Sequence, residues 1–104
     1  MNIKSLSMFK CSYQYIIDNL HNNIEELTIY DKYLNLDNLP NSIKKLYING
    51  YEKELNNLPN SIEYLVISDY KLKIRKIPKN LKIIQCDKHY EYINDFKDYD
   101  VVID

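Results

Sequence analysis

The sequence predicts a mainly β protein: a short right-handed solenoid with a parallel sheet on one face and short 3₁₀ or helical turns elsewhere. Two observations predict this fold. The pentapeptide LPNSI stands at residues 39–43 and again at 58–62, nineteen positions later. Each copy continues into a stretch that alternates as a β-strand does. Because a fixed period of this kind is typical of repeat architectures, we expect about four full coils of roughly nineteen residues.

Aliphatic residues recur in register when the chain is shifted by nineteen positions. Five columns run through four units, which is too regular for chance and indicates one continuous core shared by neighbouring coils. The columns are Leu20, Leu39, Leu58 and Ile77; Ile24, Ile43, Ile62 and Leu81; Leu27, Leu46, Leu65 and Ile84; Ile29, Ile48, Ile67 and Cys86; and Leu36, Leu55, Ile74 and Ile93.

Each unit reads as a turn followed by a strand. The core I-x-x-L-x-I occurs as IEELTI, IKKLYI and IEYLVI, and its last two aliphatics face one way. Pro40, Pro59 and Pro78 share one column, which suits a corner between segments. Too few residues remain for a full helix and two connections, so extended or 3₁₀-like backbone is expected on the outer side. The stretch SYQYIIDNL in the longer first unit is the exception and could hold a short helix.

Both ends depart from the period, as terminal repeats do. Upstream, Ile3, Leu6 and Met8 match the strand columns at an offset of 21. Downstream, Phe96 falls in the first column and Ile103 in the third, so the segment DYDVVID is predicted to supply a last strand. We therefore expect a single domain over residues 1–104, with an N-terminal capping unit at 1–16, repeats at 17–96 and a C-terminal strand or cap at 97–104.

The residues between the columns are expected to face outward from the sheet, where solenoids commonly bind their partners. A middle patch of aromatic and aliphatic side chains is typical of interaction surfaces. The other interpretation is that such residues simply suit strands. The candidate partner-binding residues are Glu26, Tyr30, Lys45, Tyr47, Tyr64, Val66 and Ile83, with Glu26 and Lys45 at the rim.

No metal or cofactor is predicted. Cys86 and His89 are three residues apart, but one C-x-x-H without a second pair is a poor zinc signal, and Cys11 and His21 lie elsewhere. Cys86 stands in an aliphatic column, so it is expected to pack inward as a small apolar group.

The sequence also predicts that the chain is not an enzyme. It has no G-x-S-x-G, phosphate loop or H-E-x-x-H, and its single glycine, Gly50, excludes a glycine-rich cradle. A tight coil leaves no obvious room for a concave site, so no small-molecule ligand is expected.

Charge and hydropathy exclude further classes. The formal net charge of −1 gives no global attraction to nucleic acid or anionic membranes. No window approaches about 18 apolar residues, so a membrane span is not expected. The basic stretch between Lys71 and Lys82 could contact phosphates, but its side chains do not obviously line one groove. Two cysteines make no disulfide framework and the N-terminus does not resemble a secretory signal, so a cytoplasmic location is predicted.

The pattern L-P-x-S-I-x-x-L-x-I, in LPNSIKKLYI and LPNSIEYLVI, resembles the FNIP repeats of social amoebae and of giant viruses that infect amoebae. The resemblance covers about residues 17–96 and implies a leucine-rich-repeat-like fold. The FN-x-P-I stretch that names the family is absent, and the units are about three residues shorter. Members often carry an F-box, which implies recruitment to a ubiquitin ligase, but no segment of the 104 residues is free to be one.

General leucine-rich repeats, which the pattern also resembles, carry an asparagine ladder that caps backbone groups inside the coil. The corresponding column here reads Lys32, Tyr51, Tyr70 and His89. Something else must therefore satisfy those buried backbone groups, or the coil differs there.

The sequence as a whole predicts a non-enzymatic protein–protein interaction module. Its partner would be an unidentified protein, a host protein in the host cytoplasm if the chain is viral. The alternatives are a structural remnant of a longer repeat array with no dedicated partner, and a weak nucleic-acid binder that uses the lysine-rich stretch.

Overall fold

One six-stranded parallel sheet organises the protein. In the computed structural model, which describes residues 4–9 and 14–103, the strands follow one another across the sheet in chain order, and every neighbouring pair is parallel. The predicted mainly β solenoid with a parallel sheet is thus confirmed. It has about five turns, where the sequence predicts about four full coils and an incomplete unit at each end. The strands are β1 (Ser5–Phe9), β2 (Glu26–Tyr30), β3 (Lys45–Asn49), β4 (Tyr64–Ser68), β5 (Ile83–Cys86) and β6 (Asp100–Ile103).

The strand register reproduces the aliphatic columns. Leu27 pairs with Leu46, which pairs with Leu65, at the nineteen-residue period. The first coil is two residues longer, so Leu6 lies beside Leu27 as its offset of 21 predicts, and Met8 lies beside Ile29. Ile3 lies outside the described residues. Because equivalent side chains point the same way in every strand, the columns form one continuous core.

The last coil is shorter than the period. Val101 pairs with Ile84, and Ile103 pairs with Cys86. The prediction that Ile103 continues the third column is therefore wrong: Val101 takes that place and Ile103 continues the fourth. The coil contains the 3₁₀ helix Ile93–Phe96, in which Phe96 is buried.

The LPNSI turn connects each coil to the one before it. The backbone N–H of Ile43 donates to the carbonyl of Pro40, which closes the turn. The Ser42 hydroxyl donates to the carbonyl of Ile24 at 2.7 Å, and Ser61 repeats this contact with the carbonyl of Ile43 at 2.7 Å. The serine hydroxyl of the pentapeptide thus provides a hydrogen-bond donor for a backbone carbonyl of the preceding coil.

The outer side of the coils is irregular, as expected for so short a period. Within the described residues the only regular helices are the 3₁₀ helix and α1 (Gln14–Asp18), which lies in the stretch predicted to hold a short helix. Gln14 anchors α1 to the next coil, because its side-chain amide both donates to and accepts from the backbone of Asn35 at 2.7 Å. Over these residues, no helix is long and apolar enough to cross a membrane.

A ladder of buried tyrosines takes the place of the missing asparagine ladder. The hydroxyls of Tyr51, Tyr70 and Tyr90 each donate to a backbone carbonyl of the preceding coil, at 2.5, 2.9 and 2.5 Å. Neighbouring rings in this tyrosine ladder lie 6.4 Å apart. The expectation that His89 occupies the third position is wrong. One extra residue follows β5, so Tyr90 enters the coil and His89 is exposed.

The tyrosine ladder should make stability depend on alkaline pH. Burial raises the pKa of Tyr51 to about 12 and raises the pKa of Tyr70 and Tyr90 as well, from an ordinary value of 10.0. The folded state therefore keeps its protons where the unfolded chain loses them. The contribution of these phenols to the free energy of unfolding should not change below about pH 10 and should fall above it, by up to about 1.4 kcal/mol per pH unit for each phenol.

Urea titrations at a series of alkaline pH values measure this dependence. Tyr70→Phe removes one of the three phenols, so its free energy of unfolding should fall less steeply with pH than that of the unsubstituted chain. An identical slope in both proteins would contradict the proposed origin of the effect.

The central column should dominate stability. Leu65 is fully buried between Leu46 and Ile84, so Leu65→Ala leaves a cavity and should cost about 2–5 kcal/mol in the free energy of unfolding. The exposed strand residue Val102 serves as control, and Val102→Ala should cost less than about 1 kcal/mol. Chemical denaturation of both variants tests the difference.

Candidate functional site

The solvent-facing side of the sheet brings the predicted residues together. Parallel pairing places every second strand residue in rows that cross the sheet. The first row holds Glu26, Lys45, Tyr64 and Ile83; the second holds Thr28, Tyr47, Val66 and Gln85; and the third holds Tyr30, with Asn49 and Ser68 further along. All seven candidate residues therefore lie on one surface, which we call the sheet face.

An aromatic strip crosses the first three strands of the sheet face. It consists of Phe9, Tyr30 and Tyr47. The rings of Phe9 and Tyr30 stack at 5.1 Å with an interplanar angle of 7°, and those of Tyr30 and Tyr47 lie 5.6 Å apart. Phe9 is 60% exposed and Tyr30 is 38% exposed, so much of the strip faces solvent.

Phe9 is a residue that sequence reasoning missed. The same offset of 21 that aligns Leu6 with Leu27 also aligns Phe9 with Tyr30, and the two residues are paired in the sheet. The sequence therefore contains the signal for this pair, because Phe9 directly follows Met8 just as Tyr30 directly follows Ile29.

Hydrogen bonds hold the hydroxyl edge of the aromatic strip. The side-chain hydrogen bond with Tyr47 is the main cause that raises the pKa of Tyr30 above 10.0, followed by the charge of Tyr47 and by burial. The amide of Asn49 donates to the Tyr47 hydroxyl at 3.3 Å. The strip thus presents apolar rings with polar tips, a combination that suits protein interfaces.

Tyr64 is fixed from two sides. The ammonium of Lys45 lies 4.8 Å from the centre of its ring, a cation–π contact, and its hydroxyl donates to Gln85 Oε1 at 2.9 Å. Lys45 therefore covers part of the ring of Tyr64. Because these contacts restrain its rotamers, Tyr64 would lose little conformational entropy on binding.

Val66 is not exposed. It lies on the sheet face but is only 3% accessible, so the expectation that it presents an exposed aliphatic group is wrong. In its row it stands between Tyr47 and Gln85, whose longer side chains shield a short branched one.

The remaining sequence candidates do not converge on a site. Cys86 is buried, His89 and His21 are exposed, and Cys11 is outside the described residues. In the part of the chain that the structure describes, no three His, Cys, Asp or Glu side chains are grouped to hold a metal.

Two lysines of the basic stretch are engaged by carboxylates of neighbouring coils. Lys73 pairs with Asp95 at 2.9 Å, and Lys82 pairs with Glu63 at 3.7 Å. These contacts partly neutralise the stretch that the sequence offered as a phosphate-binding surface.

A charge at Val66 should disrupt the fold. Val66→Asp buries a carboxylate with no cation beside it in its row and should lower the free energy of unfolding by more than about 2 kcal/mol. Ser7 lies on the same row, at the exposed edge, and Ser7→Asp should change it by less than about 0.5 kcal/mol. Equal effects in thermal unfolding would contradict the shielded position of Val66.

Comparison with known proteins agrees with this architecture. The family model described as FNIP Repeat matches residues 30–70, which span both LPNSI turns and strands β3 and β4. Comparison with curated proteins and with solved structures gives no match. Over residues 30–70 the match confirms the resemblance to FNIP repeats that the sequence predicts.

Proposed function

We propose that the chain is a non-enzymatic protein-binding module that engages its partner through the sheet face. A repeat solenoid fits such a role, because stacked coils hold side chains on a rigid surface that needs no ordering before binding. The observation that carries the proposal is the aromatic strip: three rings in contact across three strands, with Phe9 and Tyr30 substantially exposed.

The residues of the sheet face take distinct parts in the proposal. Tyr30, Tyr47 and Tyr64 are the anchors, with Ile83 beside Tyr64 in the first row. Tyrosine is enriched at interfaces because it offers a large apolar area and a polar tip with few rotatable bonds. Glu26 and Lys45 flank these anchors, and the buried Val66 lies beside Tyr47 in the second row.

The proposal places the module in the cytoplasm, of the host cell if the chain is viral, with a protein of that compartment as its partner. It assigns no catalytic role to any residue. A remnant of a longer array remains the competing hypothesis, and it differs in one respect that can be measured: it has no stoichiometric partner.

Affinity purification from the cell that naturally contains the chain tests the proposal. The expected result is a stoichiometric protein partner whose binding can be reproduced with purified components. The double variant Tyr47→Ser/Tyr64→Ser should weaken that binding by at least about 100-fold, because truncating an interface anchor typically costs about 2 kcal/mol or more. Isothermal titration calorimetry measures the change.

Tyr33→Ser is the matched control. Tyr33 is more exposed than Tyr30 and only three residues away, but it follows the strand and lies off the sheet face. It should bind with unchanged affinity, and all variants should unfold in a cooperative transition. Unchanged binding by the double variant would refute the site, and the absence of any partner would favour the remnant. Salt-sensitive retention on a polyanion column would instead support nucleic-acid binding.

A further inference from the structure

We propose that this chain associates with copies of itself head to tail, the β6 edge of one copy pairing with the β1 edge of the next. The occupant of each open end of the stack would then be the opposite end of a second copy. This inference does not depend on the proposed function of the sheet face.

The two end strands are open and compatible in direction. Within residues 4–9 and 14–103, β1 pairs only with β2 and β6 pairs only with β5. All six strands run the same way, so moving a copy along the stack brings its β1 beside β6 of its neighbour as another parallel pair. Neither strand contains proline, and β1 contains no charge, so two of the features that usually block edge pairing are absent from β1.

The N-terminal end leaves part of the inside of the first coil accessible, although Met8 is buried. Leu6, on the core side of β1, is only partly buried, unlike Leu27 and Leu46 in the same column. Between β1 and α1 an apolar groove of about 310 Å³ opens, lined chiefly by Leu6, Tyr15, Ile16, Leu20 and Ile24. Inner coils have their interiors covered by the coil before them, and terminal repeats normally carry a polar outer face instead.

The C-terminal end has the complementary character. Val102 is 42% exposed and Ile103 is 46% exposed, and Val101 is only partly buried. If the columns continue from one copy to the next, Val101 lies against Leu6 and Ile103 against Met8, because these residues hold the third and fourth columns at the two ends. The joint would therefore pair aliphatic with aliphatic in both columns.

Charge favours the same joint. The described part of the last coil, residues 91–103, carries four carboxylates and one lysine. The register that places Val101 against Leu6 also places Asp100 against Ser5, next to Lys4, whose largely exposed ammonium also pairs with Glu25 at 3.6 Å. The acidic end thus meets a cation, whereas a joint between two C-terminal ends would bring carboxylates together.

A head-to-tail contact is heterologous, which means that it joins two different surfaces. It can therefore be tested with two variants, each of which has one of its two ends blocked. Ile16→Lys places a cation at the rim of the N-terminal groove, and Ile103→Lys places one in the edge column of β6. Each variant retains one working end. Each alone should be monomeric, and a mixture of the two should form a one-to-one dimer that grows no further.

Sedimentation velocity of the full chain over a range of concentrations provides the reference. The expected result is an average mass that rises with concentration past the dimer. Tyr33→Lys, a substitution of an exposed residue away from both ends, should leave this behaviour unchanged, and circular dichroism should show that every variant remains folded.

A charge swap tests the register of the joint. Asp100→Lys should weaken association by at least about tenfold, the equivalent of about 1.4 kcal/mol, because it replaces a carboxylate close to Lys4 with a second ammonium. Adding Lys4→Asp should restore most of the loss.

Three outcomes would overturn the proposal. The first is a chain that remains monomeric at its highest soluble concentration. The second is association that stops at a dimer and is sensitive to only one end, which would indicate pairing of like ends. The third is self-association by the blocked variants, which would place the contact elsewhere, including on the sheet face.

Discussion

Every feature of this protein depends on the in-register stacking of coils that cannot bury their own aliphatic side chains. A single coil encloses one layer of residues, and each layer is covered only by the layers beside it. Leu46 is fully buried because Leu27 and Leu65 lie on either side of it at the same height. Parallel pairing fixes that height. The hydrogen bonds of Ser42 and Ser61 connect two of the coils to the preceding coil, just before strands β3 and β4 begin.

Tyrosine has two different roles in this chain, and the position of the residue in the coil determines which role it has. Tyr51, Tyr70 and Tyr90 turn inward just after their strands, where a phenol is long enough to reach a carbonyl of the preceding coil. An asparagine ladder would satisfy such groups with a shorter side chain. Tyr30 and Tyr47 are on the other side of the sheet, where their rings pack on each other. The same residue type therefore supplies both interior hydrogen bonding and surface area.

The sheet face and the two ends offer surfaces of different kinds. The side chains of the sheet face are held by contacts within the chain, such as Lys45 over Tyr64. The proposed binding would therefore need no rearrangement of this surface. The ends are apolar for a different reason: the interior of the stack is apolar, and it is exposed wherever no further coil covers it. Joining copies through their ends would leave the sheet face uncovered and would repeat it along the assembly, so partners with several binding segments would gain avidity.

Period and alternation are local properties that recur in every coil, so they are enough to predict the strands, their parallel order and the side of the sheet on which Tyr47 or Leu46 lies. The places where the period fails could not be predicted in this way. The positions of Ile103 and Tyr90 depend on how many residues a particular coil needs to close, which the other coils do not reveal. The burial of Val66 and the stacking of Phe9 depend on the sizes of side chains on neighbouring strands, which meet only after the chain has coiled.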